Sequence, residues 1–462
     1  MRKNTPFDEI ALGQSITVSR SLTAREIEAI ASLCGIRNLA QLQDHLASGT
    51  PHPHTAAVLE TWTVSLITTL LNTEFPGSGT RVVRQNLQFV QPTRPVDTVQ
   101  VQLTVTACDP AEHAIMLDCR VITPQGETLL AGRAGVVPPT HSQKVDEDSR
   151  PEAHLFDPDA HLRDLLALGD GLAAVRCGVV HPCDEGSLTG AIAAARAGLI
   201  EPVLIGPEVR LRALATQLGL SIAAFDVVNV QHSHEAAQRA AELAASGELE
   251  SLMKGSLHTD ELMQAVLAQR GLRTKRRLSH VFRFELPRYE KPLLITDAAL
   301  NIRPTLEDKR DIVQNAIDLS TIMGRAHPKV AILSAVETIN SDIPSTLDAS
   351  ALCKMADRGQ ITGALLDGPL AFDNAISPEA VRIKNIRSEV AGDADILLVP
   401  DLESGNMLAK QLEYFGGASS CGVVLGARIP IALTSRADGV AARMASALLV
   451  KLIAHHYRAH RP

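Results

Sequence analysis

The rhythm of hydrophobic and polar positions changes once along this chain. Over residues 98–108, Val99, Val101, Leu103 and Val105 alternate with Gln100, Gln102 and Thr104, the period-two mark of a strand buried on one face. Residues 80–90, 114–122 and 128–137 read as three more strands. Ahead of them, residues 60–72 (ETWTVSLITTLLN) are apolar on most sides, as expected of a buried helix. A turn, PGSG, joins the two patterns. One buried helix followed by a meander of strands predicts a sheet wrapped around a helix.

Residues 138–152 (PPTHSQKVDEDSRPE) replace this periodicity with prolines and charges, the composition of a solvated linker. Beyond it, short apolar runs alternate with longer helical patterns. Strands are expected at 173–180, 203–205, 293–296, 330–333, 363–366, 396–399, 423–425 and 431–434. Continuous Val/Ile/Leu runs of this kind indicate strands buried on both faces, in a largely parallel α/β sheet. Ligands in such sheets gather beyond the carboxyl ends of the strands.

Composition narrows the picture. A chain of 462 residues calls for two or three domains. A net charge of −8 argues against a nucleic-acid partner, and 3% aromatic residues argue against a base-stacking platform. No apolar stretch follows Arg2 and Lys3 as in a signal peptide. The runs at 371–376 and 396–400 are far shorter than the ~20 residues of a membrane span. Seven scattered cysteines without a C-x-x-C pair fit buried thiols in a reducing cytoplasm better than disulfides or a zinc knuckle.

Four loops after expected strands, and an earlier fifth ahead of a helix, carry the candidate chemistry. LLITDAALNIRPTLEDKRDIV presents Asp297 and Asn301, with Pro304 in the first turn of a helix. GALLDGPLAFDNAI presents Asp367, Gly368 and Pro369. ILLVPDLESGNMLAKQL puts Ser404, Gly405 and Asn406 at a helix start, where free backbone N–H groups make an anion site. PIALTSRADG ends a strand with Ser435 and Arg436, and SLMKGSLHTDELM presents Lys254, Gly255 and Thr259. Singly, each Asp or Asn serves as well as a turn former or a helix cap, and Lys254 as a solvated charge. Arg436 is harder to dismiss, because a cation directly after a buried strand needs an anionic partner. Together they supply a hydroxyl, a guanidinium, carboxylates and helix N-termini, a set suited to phosphate and a coenzyme A thiol. There is no Walker loop, Rossmann glycine fingerprint or nucleophile elbow. VVHPCDEGSL contains His181, Cys183 and Asp184 but too few ligands for a metal site, and Ser187 reads as the cap of the following helix.

From about residue 155 onward, the blocks MKGSLHTDELM, LLITDAALNIRPTLEDKRDIVQNAIDL, KVAILSAVETIN, IPSTLDASALCKMADRGQITGALLDGPLAFDNAI, DADILLVPDLESGNMLAKQL and LGARIPIALTSRAD resemble the phosphate acetyl/butyryltransferase family, in its order. The resemblance implies an α/β fold over 153–462 like that of isocitrate and isopropylmalate dehydrogenases. Residues 153–290 with 430–462 would form one subdomain and 291–429 the other, around a cleft. It further implies a homodimer or higher homo-oligomer in the cytoplasm, without metal or organic cofactor, coenzyme A being a substrate. The implied reaction is acyl-CoA plus phosphate giving acyl phosphate plus coenzyme A, with acetyl first and butyryl as the alternative. In that family an Arg beside a Ser at the last strand meets the substrates, here Ser435 and Arg436, and an Asp takes the thiol proton. Ala442 stands where the acetyl branch places that Asp, which leaves Asp438 and Asp297 as candidates. Gln264 stands where many relatives carry a basic residue.

Residues 7–137 (domain 1–137) resemble an α+β hot-dog domain of the MaoC type, that of (R)-specific enoyl-CoA hydratases. FDEIALGQ, SLITTLLNTEFPGSGT, QNLQFVQPTRPVDTV and LDCRVITPQGETLLAG carry the likeness. The hydratase segment G-D-x-N-P-x-H corresponds to residues 35–41, where Ile36 and Gln41 cannot exchange a proton at neutral pH. Asp44, His45, His52 and His54 lie nearby in sequence. A catalytically degenerate module that pairs with its copy or holds coenzyme A is expected. Besides the acyltransferase, two readings stay open: a bifunctional enzyme that also hydrates enoyl-CoA, and a non-catalytic coenzyme A-binding assembly protein.

Overall fold

The computed structural model describes residues 2–35, 53–91, 98–145, 158–435 and 438–462. The chain divides into two compact units, Met1–Leu155 and Phe156–Pro462.

In the first unit the strands are β1 (Arg2–Lys3), β2 (Ser15–Ser21), β3 (Arg81–Phe89), β4 (Thr98–Asp109), β5 (Ala114–Ile122), β6 (Thr128–Val137) and β7 (Lys144–Val145). Five of them form an antiparallel sheet in the order β2-β4-β5-β6-β3. The alternating residues Val99, Val101, Leu103 and Val105 are buried. They pack in one core with Trp62, Leu66, Ile67 and Leu70 of the helix Pro53–Thr73. Each such large side chain contributes roughly 1.5–3 kcal/mol on full burial. The strand β2 and the helix Ala24–Leu33 add to the elements expected from pattern. Thr23 caps that helix in a capping box with Glu26.

The segment read as linker from residue 138 is fastened to this unit as far as residue 145. There β7 pairs with β1, Asn4 Nδ2 donates to the carbonyls of Ser78 and His141, and Gln143 N donates to Asn4 Oδ1 at 2.7 Å. The ladder partner lies about 140 residues away, so local composition misreads the segment. Residues 36–52, with Ile36, Gln41, Asp44, His45 and His52, lie outside the described residues.

The second unit holds β8 (Val175–Val180), β9 (Ile200–Gly206), β10 (Asp226–Asn229), β11 (Ser251–Lys254), β12 (Ser279–Leu286), β13 (Tyr289–Thr296), β14 (Lys329–Leu333), β15 (Leu365–Leu370), β16 (Ile396–Leu398), β17 (Ser419–Leu425) and β18 (Ile431–Ala432). They make one sheet ordered β10-β9-β8-β11-β18-β17-β12-β13-β16-β14-β15. Each apolar run read as a strand contributes to one. The short β10 and β11 and the hairpin strand β12, whose SHVFRFEL mixes aromatic and charged residues, were not expected.

The sheet is largely parallel, as expected, with seven parallel pairings and three antiparallel ones. Two parallel sets, one from β10 to β18 and one from β13 to β15, flank an antiparallel centre. There β17 opposes β18, β12 opposes β17 and β13 opposes β12. After three reversals the two parallel sets run in opposite directions. Register places Ala432, Val423, Val281 and Thr296 in one row across these strands. From that row β18 and β13 leave toward opposite edges of the sheet.

Candidate active site

At the edge where β8, β11 and β18 end, the loops are knitted by main-chain hydrogen bonds. Gly255 N donates to Val180 O at 2.9 Å and Ser256 N to His181 O at 2.8 Å. His181 holds a left-handed φ of 53°, and its Nδ1 lies 2.9 Å from Ser256 O. A Cβ on Gly255 would stand 2.5 Å from Val180 O, so this crossing demands glycine. Lys254 is buried at the end of β11, and Thr259 opens the helix Thr259–Ala268. The cap of the helix Glu185–Arg196 is Asp184 and not Ser187, whose N and Oγ donate to it at 2.8 and 3.0 Å. Burial opposes the Asp184 charge, but hydrogen bonds from Ser187 and Ser256 and the nearby Arg443 outweigh it and hold its carboxyl below the usual range.

Past β18 the chain closes a tight turn. Ser435 N donates to Asp438 Oδ2 at 2.6 Å, and Asp438 N donates to Ser435 O at 3.2 Å. A buried guanidinium braces it: Arg443 Nη1 donates to Thr434 Oγ1 at 2.9 Å and Nη2 to Ser435 O at 3.2 Å. Gly190 makes the room, since a Cβ there would lie 2.4 Å from Arg443 Cδ. Burial lowers the Arg443 pKa while Asp184 and Asp438 oppose the shift. Sequence reasoning passed over this residue. The available signal was a lone arginine at the alanine-rich start of the helix Val440–Ala459.

Asp438 faces a cavity of about 390 Å³ whose wall includes Arg283, Ser420, Cys421 and Ala442. Burial pushes its carboxyl above the ordinary value and Glu413 adds to the push, against the Ser435 amide, Lys410 and Arg443. Asp438, just ahead of the helix Val440–Ala459, and Ala442, in its first turn, therefore line the same space. Arg436 lies outside the described residues.

The edge where β13 ends has a different character. Asp297 is buried and its carboxylate is filled. Oδ1 accepts from Ala299 N at 2.9 Å and Leu300 N at 3.0 Å, and Oδ2 accepts from Asn301 Nδ2 at 2.6 Å. Asn301 also donates to Leu278 O at 2.8 Å and accepts from Arg277 Nε at 2.7 Å. Asp297 thus orders its own turn.

Three further expectations are corrected here. The helix Leu402–Tyr414 begins with two of its N–H groups taken: Asp401 Oδ1 accepts from Ser404 N at 2.9 Å and Ser404 Oγ at 2.8 Å, while Leu402 N donates to Ile302 O. Gly405 permits close packing, since a Cβ would stand 2.6 Å from Val399 Cγ2, and Asn406 Nδ2 donates to Ala298 O at 3.2 Å. Those residues brace the Asp297 turn. Asp367, Gly368 and Pro369 lie inside the edge strand β15 and not after it, and Pro304 precedes Thr305, the true cap of the helix Leu306–Ile322. A cavity of about 290 Å³, walled by Asp260, Met263, Arg277, Leu300 and Asn301 among others, connects this turn with the helix Thr259–Ala268. Among the described residues no helix is long and apolar enough to cross a membrane.

Comparison with known proteins places this architecture in a class. The family described as phosphate acetyl/butaryl transferase matches residues 234–450. A phosphate acetyltransferase of Rickettsia felis is 55% identical over 325 residues, 69% of this chain and 93% of that protein. A phosphate acetyltransferase of Rhizobium meliloti is 59% identical over 282 residues, 61% of this chain and 89% of its own. Among solved structures, a branched-chain phosphotransacylase from Enterococcus faecalis V583 superposes with a TM-score of 0.54 at 31% identity, covering 61% of this chain and 99% of that one. The chain belongs to the phosphate acetyl/butyryl transferase family.

Proposed function

We propose that the second unit is an acyltransferase that interconverts acyl-CoA plus phosphate with acyl phosphate plus coenzyme A, acetyl being the preferred acyl group. The observation that carries this is the identity of 55 and 59% to relatives named for the acetyl reaction, against 31% to the branched-chain protein. The site supports a specific course. Asp438, with its proton affinity raised by burial, accepts the thiol proton of coenzyme A. The thiolate attacks the carbonyl carbon of the acyl phosphate, a C–S bond forms, and the C–O bond to phosphate breaks with the electron pair leaving on phosphate. Arg436 offsets charge on the carbonyl oxygen and on the departing phosphate, Ser435 contributes its hydroxyl, and Arg443 holds their turn in place. Asp297 and Asn301 shape the opposite edge.

The two oppositely directed parallel sets support a two-lobed fold of the isocitrate and isopropylmalate dehydrogenase type. Residues 153–290 with 430–462 form one lobe and 291–429 the other. The antiparallel sheet around the helix Pro53–Thr73 supports a hot-dog module in the first unit. The reading includes a cytoplasmic homo-oligomer that needs no resident metal or organic cofactor.

Coenzyme A release from acetyl-, propionyl-, butyryl- and crotonyl-CoA, with and without phosphate, tests the reading in wild type and Arg436→Ala. Phosphate-dependent release, greatest with acetyl-CoA and abolished by the substitution, is expected. Retained coenzyme A binding without turnover of any acyl group would overturn it in favour of an assembly role. Loss of the crotonyl double bond without phosphate would instead reveal a hydratase in the first unit.

A further inference from the structure

The C-terminal helix Val440–Ala459 ends beside residues 273–276, and between them lies a cavity of about 660 Å³. Five cationic side chains line it: Arg273, Lys275, Arg276, Arg428 and Arg461. Among the described residues Asp318 is the one carboxylate side chain in its wall, and it is paired with Arg276. Among the described residues no carboxylate forms an ion pair with Arg273, Lys275, Arg428 or Arg461. Four cations gathered around one hollow repel one another, and a folded surface relieves such repulsion by spacing charges apart or supplying an anion. Here two of the guanidinium groups are instead anchored in place. Arg273 Nε donates to Leu267 O at 2.5 Å, and Arg428 Nε donates to Arg273 O at 3.4 Å. Within the same wall the rings of His456 and His460 stack with centroids 4.7 Å apart, offering a flat face.

We propose that this cavity binds a polyphosphorylated nucleotide. The guanidinium and ammonium groups match several phosphate oxygens through charge-assisted hydrogen bonds, and the volume lies within the ~300–1,000 Å³ range of small-molecule sites. The imidazole pair offers its face to the base. The cavity shares Arg273, Thr274, Arg276 and Gly426 with the 290 Å³ cavity beside Asn301, so a ligand here touches the segment that also walls the second edge of the candidate site. The same chemistry occurs in a free nucleoside di- or triphosphate and in the 3′-phosphorylated adenosine diphosphate end of coenzyme A. The proposal does not depend on which acyl group the protein transfers.

The test is calorimetric titration of the full chain with ATP, ADP and pyrophosphate in the absence of divalent cations, for wild type and for the exposed double variant Lys275→Ala/Arg428→Ala. Saturable ATP binding is expected, falling as ionic strength rises, and at least about tenfold weaker in the double variant. The single charge reversal Lys275→Glu, melting at the wild-type temperature, provides a second reading independent of folding and weakens ATP further than it weakens pyrophosphate. If ATP stays bound under saturating coenzyme A, the cavity holds a separate nucleotide; one-for-one displacement by coenzyme A would assign the binding to the substrate's own site and overturn the proposal. Absence of binding by all three probes, or ATP affinity unchanged in both variants, overturns the proposal.

Discussion

The turns that follow β18 and β13 are built alike and behave differently. Each places an aspartate after a buried strand, and each aspartate accepts main-chain N–H groups from its own turn. At Asp297 two amides and the Asn301 side chain occupy both carboxylate oxygens. At Asp438 the described residues supply one amide, held at 2.6 Å, and the group faces a cavity while burial and Glu413 raise its proton affinity. A filled carboxylate is an architectural part, because protonating it would break bonds that burial makes expensive to lose. A carboxylate pushed toward neutrality beside open space has the properties of a proton acceptor.

Four outcomes would break or sharpen that contrast. Asp438→Asn is expected to lower kcat by about 10²–10⁴-fold. Its stability follows from the sign of the shift. A folded-state pKa raised above the unfolded one adds stability below the unfolded pKa, and that stability is lost as pH rises through the folded value. At neutral pH the charge is therefore a burden, and the melting temperature of Asp438→Asn stays level or rises. A variant that loses activity by unfolding would erase the contrast. Asp297→Ala should do the reverse first, costing about 3 kcal/mol in urea unfolding because three donors lose their acceptor. Gly405→Ala, whose Cβ would press on Val399 at 2.6 Å, should cost about 1–3 kcal/mol by overpacking and disturb the Asp297 turn alone. The smallest effect concerns pH. The acid limb of kcat/KM in wild type should lie above the ordinary carboxylate range, and Arg443→Met should move it higher, since that cation favours the ionised form of Asp438. Arg443→Lys should restore part of the shift, and an unmoved limb would remove Asp438 from the role.

Much of the molecule was legible before its structure. The alternation over 98–108, the apolar run at 60–72 and the short Val/Ile/Leu runs of the second unit each mark burial, and burial is written locally in residue type and period. The blocks around Asp297, Ser404 and Ser435 were likewise visible as loops after strands, and that around Lys254 as a loop before a helix. Their individual roles were not. Ser404 reads as an anion-binding hydroxyl until Asp401 is seen to accept from it, and Arg443 reads as one residue in a helix until its guanidinium is found against Thr434 and Ser435.

By itself the sequence determined the strands with continuous or alternating apolar runs, the family and the set of residues available for chemistry. Only the tertiary structure decided which of them share an edge. The hairpin β12–β13 and the return strand β17 separate the two parallel sets and reverse one against the other, through a register linking Ala432, Val423, Val281 and Thr296. Strand direction in a sheet is chosen by partners that can lie a hundred residues away. A local pattern of apolar positions reads the same in either direction, and so it could not say in which direction each strand would deliver its aspartate.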